Sequence, residues 1–257
     1  MNLTILYEDA DLIVCVKPVG VASQGEKGLQ PALTDLIKQH LVKQSGKKGE
    51  PYLGIIHRLD KPVGGIMVYA KTKKAAASLS KQISSHEMKK HYYAILSKIP
   101  DEVSSVLTDY LVQDKKNNCS FVAEASHPEA KKAELSYQIL KQISFHGDEL
   151  ALADILLKTG RHHQIRVQFS HLGCPLYGDT KYSNSVKYNP AFEQTFSSFP
   201  KQRGNSDIAL YSYCLEFIHP CSGKVMRFSY EPSGGIWEIF RSKEATVLIE
   251  KAANHFY

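Results

Sequence analysis

The stretch GIIHRLDKPVGGIMVYAKT, residues 54–72, sets two apolar runs around a polar insertion. GII and GGIMVYA read as strands, because β-branched and aromatic side chains fit a pleated surface. Between them HRLDK places an arginine, an aspartate and a lysine inside an apolar frame. A short polar link between two strands holds its side chains at a rim that the sheet keeps rigid, and such rims commonly carry function. Asp60 is the chemical group of interest there. It is read either as a turn aspartate, capping a backbone N–H or pairing with Arg58 or Lys61, or as a nucleophile. Gly64 and Gly65 leave room for close approach of a backbone or a ligand.

Toward the N-terminus, LTILYED and DLIVCVKP read as two strands, with Leu12, Val14 and Val16 alternating until Pro18 and Gly20 break the pattern. Residues 31–44 carry Leu33, Leu36, Ile37 and Leu41 at helical spacing. Toward the C-terminus, residues 73–86 form an amphipathic helix through Ala76, Leu79 and Ile83, and KKHYYAILSK forms a strand. KKAELSYQILKQIS and DELALADILLKTG follow as a hairpin. Most of RHHQIRVQFSHLG is expected as helix, stopped by Gly173 and Pro175. Residues 181–206 are polar and irregular and are expected as a surface loop. IALYSYCLEFIHP and KVMRFSYEP make a late hairpin, and the tail EATVLIEKAANHF is expected as helix. Many strands with a few helices that do not alternate strictly imply an α+β fold, a mixed and largely antiparallel sheet with flanking helices. One domain over residues 1–257 is expected.

The 257 residues suffice for a substantial core, and 43% apolar with 23% charged residues is an ordinary globular balance. Lys and Arg number 32 against 26 Asp and Glu, a net +6 that leans mildly toward polyanionic partners. No basic leader or apolar run of membrane-spanning length appears, and the five cysteines form no C-x-x-C pair. A cytoplasmic protein with reduced thiols and no membrane association is expected. His162, His163 and His171 cluster without a recognisable ligand pattern, so no metal is expected. With no heptad pattern in a compact domain, a monomer is expected.

A lone carboxylate in an apolar site favours its neutral form, whereas a nearby cation keeps it ionised. Arg161 and Arg166, in TGRHHQIRV, are the candidates for that cation. The competing readings for both are a surface salt bridge or a fork onto backbone carbonyls.

Five separated segments resemble the RluA-type pseudouridine synthases, in that family's order. They are VCVKPVGV at 14–21, HRLD at 57–60 followed by GGIMVYAKT, KKHYYA at 89–94, KTGRHHQIRVQFSHLGCPLYGD at 158–179, and IHPCSGKVMRF at 218–228. The resemblance implies an RNA pseudouridine synthase, an isomerase acting on a uridine in rRNA or tRNA without cofactor or metal. It implies that Asp60 is the catalytic aspartate, that Tyr92 lies on the target base, and that Arg166 pairs with the aspartate to keep it charged. Tyr93 should point the other way, into the core. Arg58 is assigned to the gap left by an extruded base or to a neighbouring phosphate. His57 either orients the loop backbone or packs. Arg161 and Ile165 are taken as substrate contacts, and Lys17, Lys71 and Lys73 as phosphate contacts, with solvated surface lysines the alternative. KPVGG stands where the family often has D-x-T-S-G, His162 where Ser or Thr is usual, and Gln168 where His is common. These departures bear on substrate choice more than on chemistry. The chain starts at the catalytic strand, so no separate N-terminal RNA-binding domain is expected. The alternative function is an RNA-binding protein that remodels its target without modifying it.

Overall fold

The computed structural model describes residues 3–25, 31–46, 49–145, 147–183, 208–241 and 246–250. In chain order the elements begin β1 (Thr4–Glu8), β2 (Leu12–Lys17), α1 (Leu33–Ser45), β3 (Gly54–Ile55), β4 (Gly64–Ala70), α2 (Lys73–Ser84) and β5 (Lys89–Leu96). They continue with β6 (Ser104–Asp114), β7 (Cys119–Val122), β8 (Lys131–Phe145), β9 (Asp148–Leu157) and α3 (Gln164–His171). The described part closes with β10 (Leu210–Ile218), β11 (Val225–Ser229), a 3-10 turn at Gly235–Phe240, and β12 (Thr246–Glu250). Pairing is mostly antiparallel and helices accompany the strands, which is the expected α+β class.

The chain divides into two compact units, Met1–Lys90 with Ser212–Glu231, and His91–Tyr211 with Pro232–Tyr257. Two of the three crossings fall inside strands, β5 and β10, so no linker composition marks them in the sequence.

In the first unit the strands run β1–β2–β4–β10, with β11 beyond β10. β3 joins β4 by pairing Gly54 with Ala70 and Ile55 with Tyr69. The insertion read from the sequence is therefore the connection of a hairpin. Every residue of β2 and β4 is buried, so both faces of these strands are covered. Leu12, Val14, Ile66 and Val68 cluster with Ala75 and Leu79 of α2 and with Leu215 and Phe217 of β10. Thr72 starts α2 by accepting the Ala75 N–H at 3.1 Å, satisfying one of the free donors of the first turn.

In the second unit the order is β5–β9–β8–β6–β7. The 15 residues of β8 pair with β6 through their first half and with β12 through their last turn of strand. Val167 of α3 packs on Leu111 and Ala133, and Phe169 meets the Tyr137 ring edge-on at 5.3 Å.

Three sequence expectations need correction or completion. Residues 246–250 of the tail are strand rather than helix, paired with Lys141–Ser144 of β8, and the rest of EATVLIEKAANHF lies outside the described residues. Glu, Ala, Leu and Lys favour helix locally, but an open strand edge offers Thr246, Val247 and Ile249 backbone partners that outweigh propensity. Residues 184–206 of the expected surface loop are likewise outside the described part, while Lys181 and Tyr182 are anchored, as set out below. The hairpin of β6 and β7 was not expected at all, since no two-residue apolar period marks it.

Candidate active site

Residues 56–63 carry the HRLD segment across the first unit, and their backbone is tied on both sides of Asp60. The Ser23 hydroxyl donates to the Leu59 carbonyl at 2.6 Å and accepts the Leu59 N–H at 3.0 Å. The Ser23 carbonyl in turn accepts the Tyr69 hydroxyl at 2.8 Å. The Asp60 carbonyl accepts the Val63 N–H at 3.0 Å, closing a turn. The Lys61 carbonyl accepts the Gly20 N–H at 2.9 Å and the Lys17 Nζ at 3.1 Å. Fixed peptides thus bracket Asp60, itself partly exposed. The backbone on both sides of Asp60 is thus held in place before any ligand arrives.

Lys17 is 0% exposed and also donates to the carbonyls of Pro18, at 3.0 Å, and Val21, at 2.7 Å. Burial pushes its amine down to about 7, while the negative charge of Asp60 acts in the opposite direction. An ammonium has three N–H groups, and all three are used here. Lys17 is therefore not a phosphate contact, as the sequence reading had it. It is an internal prop beneath the Asp60 turn, and a cation within electrostatic reach of Asp60. Lys71 donates to Glu8 at 2.7 Å and to the Asp9 carbonyl at 2.5 Å, which ties it to the end of β1. Lys73 is exposed at the start of α2.

His57 accepts the Val68 N–H on Nε2 at 3.2 Å. Burial, with the positive charge of Lys90 added, pushes its imidazole down to about 3, so the ring is neutral and carries its proton on Nδ1. It links the loop to β4, the first of the two roles considered. Arg58 is exposed, with no side-chain hydrogen bond among the described residues. Gly65 has φ +129°, and a Cβ there would lie 2.3 Å from the Ser212 carbonyl oxygen. The close approach expected at the paired glycines is that of the β10 backbone.

The second unit holds the other expected residues. Tyr92 sits on β5 opposite Ile155 and is only 5% exposed. Tyr93, expected in the core, is the more exposed of the pair. Alternation does separate the two, but the covered face is the one that Tyr92 occupies. Arg166 is on α3, buried, and forks onto Asp179 through Nε at 2.7 Å and Nη2 at 2.8 Å. Asp179 also accepts the N–H groups of Lys181, at 3.1 Å, and Tyr182, at 3.3 Å. The Arg166 guanidinium lies 5.0 Å from the centre of the Tyr182 ring. The Tyr182 hydroxyl accepts the Ser120 N–H at 2.8 Å and donates to His163 Nδ1 at 2.6 Å. Burial and the charge of Arg166 push His163 down to about 3, leaving it a neutral acceptor. Its own backbone takes φ 54° at the head of α3, where the His162 ring stacks on it at 3.7 Å. Ile165 is buried on the same helix. Arg161 is exposed, and its Nε donates a single hydrogen bond to the Lys132 carbonyl at 2.9 Å.

Sequence reasoning missed Ser23 and Tyr182, did not pair Asp179 with Arg166, and misassigned Lys17. A lysine ending the apolar run LIVCVK was the one available signal that its amine is internal. Asp179 stands 13 positions beyond Arg166 across a turn, outside any periodic pattern. The clustered histidines go to other work, since His162 bonds Ser120 and His171 bonds Asp109 at 3.0 Å. Asp9, Asp11 and His219 bring ligand atoms within 4.8 Å of one another. His219 already donates to Asp9 at 2.7 Å and accepts two backbone N–H groups on Nδ1, so its ring has no lone pair to offer an ion.

The RNA pseudouridylate synthase family model matches residues 11–171. The chain is 33% identical over 231 residues to the ribosomal large subunit pseudouridine synthase D of Zymomonas mobilis subsp. mobilis, covering 89% of this chain and 69% of the relative. It is 29% identical over 225 residues to the tRNA pseudouridine synthase C of Vibrio cholerae, covering 85% and 86% respectively. The solved structure of human RNA pseudouridylate synthase domain containing 4 superposes with TM-score 0.70 at 25% identity, covering 90% of this chain and 88% of that one.

Proposed function

Because the chain belongs to the RNA pseudouridylate synthase family, with the RluA-type motifs, we propose that it isomerises a specific uridine of ribosomal or transfer RNA to pseudouridine, with Asp60 as the catalytic carboxylate. The observation that carries the assignment is the bracing around Asp60: Ser23 holds the peptide before it, and Lys17 and Gly20 hold the one after it. In the reaction the bond from uracil N1 to the ribose anomeric carbon breaks and a bond from uracil C5 to that carbon forms. The hydrogen on C5 is lost and N1 ends protonated, so atoms balance without any added reactant. Asp60 attacks the sugar or takes a proton from it. Tyr92 stacks on the uracil or removes the C5 proton, for which a dry position suits it. Arg166 supplies the positive charge that keeps the catalytic carboxylate ionised, its guanidinium oriented by the fork onto Asp179.

The target base must leave its stack to react, at a cost of a few kcal/mol that contacts to the flanking RNA offset. Arg58, exposed beside Asp60, fills the gap or holds a neighbouring phosphate. Ile165 contributes apolar surface, and His57 sets the loop. The protein acts as a monomer in the cytoplasm, as one catalytic domain, with RNA as its partner.

Tritium release from RNA labelled at uridine C5 tests the chemistry, with Asp60→Asn as the control. The variant should bind RNA and release no tritium. No release from the parent protein itself would favour the alternative, an RNA-binding protein that leaves its target unmodified, and release by the variant equal to that of an active parent would reject Asp60 as the catalytic carboxylate. Mapping pseudouridine in cellular RNA with and without the protein identifies the site.

A further inference from the structure

The second unit has a sheet face that α3 leaves open. Val167 of α3 packs on Leu111 and Ala133, so residues one step along the pleat face the other way. On that other face Tyr110 lies opposite Lys132, Thr108 opposite Glu134, and exposed Phe121 opposite Val112, which is itself covered at 4% exposure. Glu134 holds two ammonium groups beside it, Lys132 at 2.8 Å and Lys158 at 2.7 Å, and they keep its carboxyl at about 2. Apolar side chains stand in water on the same surface, Phe121 at 46% and Val106 at 53% exposure. At its edge the turn between β6 and β7 adds exposed Lys115 and Lys116, while Asp114 is occupied by Asn117 at 2.6 Å.

Solvation alone does not call for an exposed aromatic ring beside several lysines. A single-stranded nucleic acid does, since bases stack on a ring while amines follow the phosphates. We propose that the open face of β6, β7 and β8, built around Phe121, Tyr110 and Lys132, holds a single-stranded stretch of RNA outside the target uridine. The inference rests on the reading of the protein as an RNA-modifying enzyme. Charge selects the occupant: Lys115, Lys116, Lys132 and Lys158 stand against Glu134, on a chain of net +6.

The test is binding of a fluorescent single-stranded oligouridine, followed by anisotropy across a salt series. Phe121→Ala and the double variant Lys132→Ala/Lys158→Ala are compared with the parent chain. Loss of one stacked base weakens binding about tenfold. Loss of two phosphate contacts lowers the slope of log affinity against log salt by about 1.4. Tritium release at saturating RNA should stay at the parent level in both variants. Affinity within twofold of the parent together with an unchanged slope overturns the proposal. So does self-association of the parent chain that Phe121→Ala abolishes, which makes the face a contact between copies. So does loss of binding to anionic vesicles with RNA affinity intact. The same titrations in the Asp60→Asn background keep the result separate from the catalytic assignment, because binding is read there without turnover.

Discussion

Replacing Lys17 with methionine removes a charge that the fold holds away from water. The amine is pushed from 10.5 down to about 7, and the side chain is 0% exposed, so little solvent screens the effect. A gap of about 3.5 pH units, at about 1.4 kcal/mol per unit, corresponds to about 5 kcal/mol. The folded value lies below the unfolded one, so below about pH 7 both states carry the proton and the full penalty is present. Between pH 7 and 10.5 the unfolded chain binds a proton that the folded chain does not, and stability rises with pH through that window. Methionine has no such titration. It also leaves the carbonyls of Pro18, Val21 and Lys61 without a donor, at about 1–3 kcal/mol each where buried. Near pH 7 the relieved penalty and the lost hydrogen bonds oppose each other, so the variant should be close to the parent. By pH 10 only the loss remains, and the variant should trail by several kcal/mol. Urea unfolding of both proteins at one-unit pH intervals reads the difference directly, with an expected slope of about 1.4 kcal/mol per pH unit. Lys90, also pushed down by burial, titrates in both proteins and cancels. Parallel stability curves for the two proteins would refute the reasoning.

Gly65→Ala puts a Cβ 2.3 Å from the Ser212 carbonyl oxygen at φ +129° and should cost at least about 3 kcal/mol. A shift in urea midpoint worth less than about 1 kcal/mol would mean that β4 and β10 are not so closely apposed. Asp179→Asn leaves the buried Arg166 guanidinium without its counter-charge and should cost about 3–5 kcal/mol. Thermal and urea unfolding check it, and a near-neutral result would show that Arg166 is compensated elsewhere.

Much of the fold is legible because its segments keep their period. Leu33, Ile37 and Leu41 are buried along α1, and β2 and β4 are apolar because both of their faces are covered. The HRLD segment is legible as a candidate site because charged residues interrupt an apolar frame immediately before the fully buried β4. Local pattern fails where the deciding partner is distant. Residues 246–250 have helix-forming neighbours, yet β8 offers a free edge. The β6–β7 hairpin carries apolar residues on both faces, Leu107 and Leu111 on one and Val106, Val112 and Phe121 on the other, so no two-residue apolar period announces it.

The sequence by itself determined the class of fold and the loop that bears Asp60, since both follow from the local order of apolar and polar residues. Parity along β5 separates Tyr92 from Tyr93, but only the covering of one face makes Tyr92 the dry one. Only the tertiary structure turned Lys17 from a surface lysine into an internal prop, by bringing carbonyls from Val21 and Lys61 around its amine. It alone joined Arg166 to Asp179 across a turn. The physical reason is common to these cases. The charge and hydrogen bonding of a side chain depend on groups that reach it through space, and a pattern read along the chain registers only its neighbours in sequence.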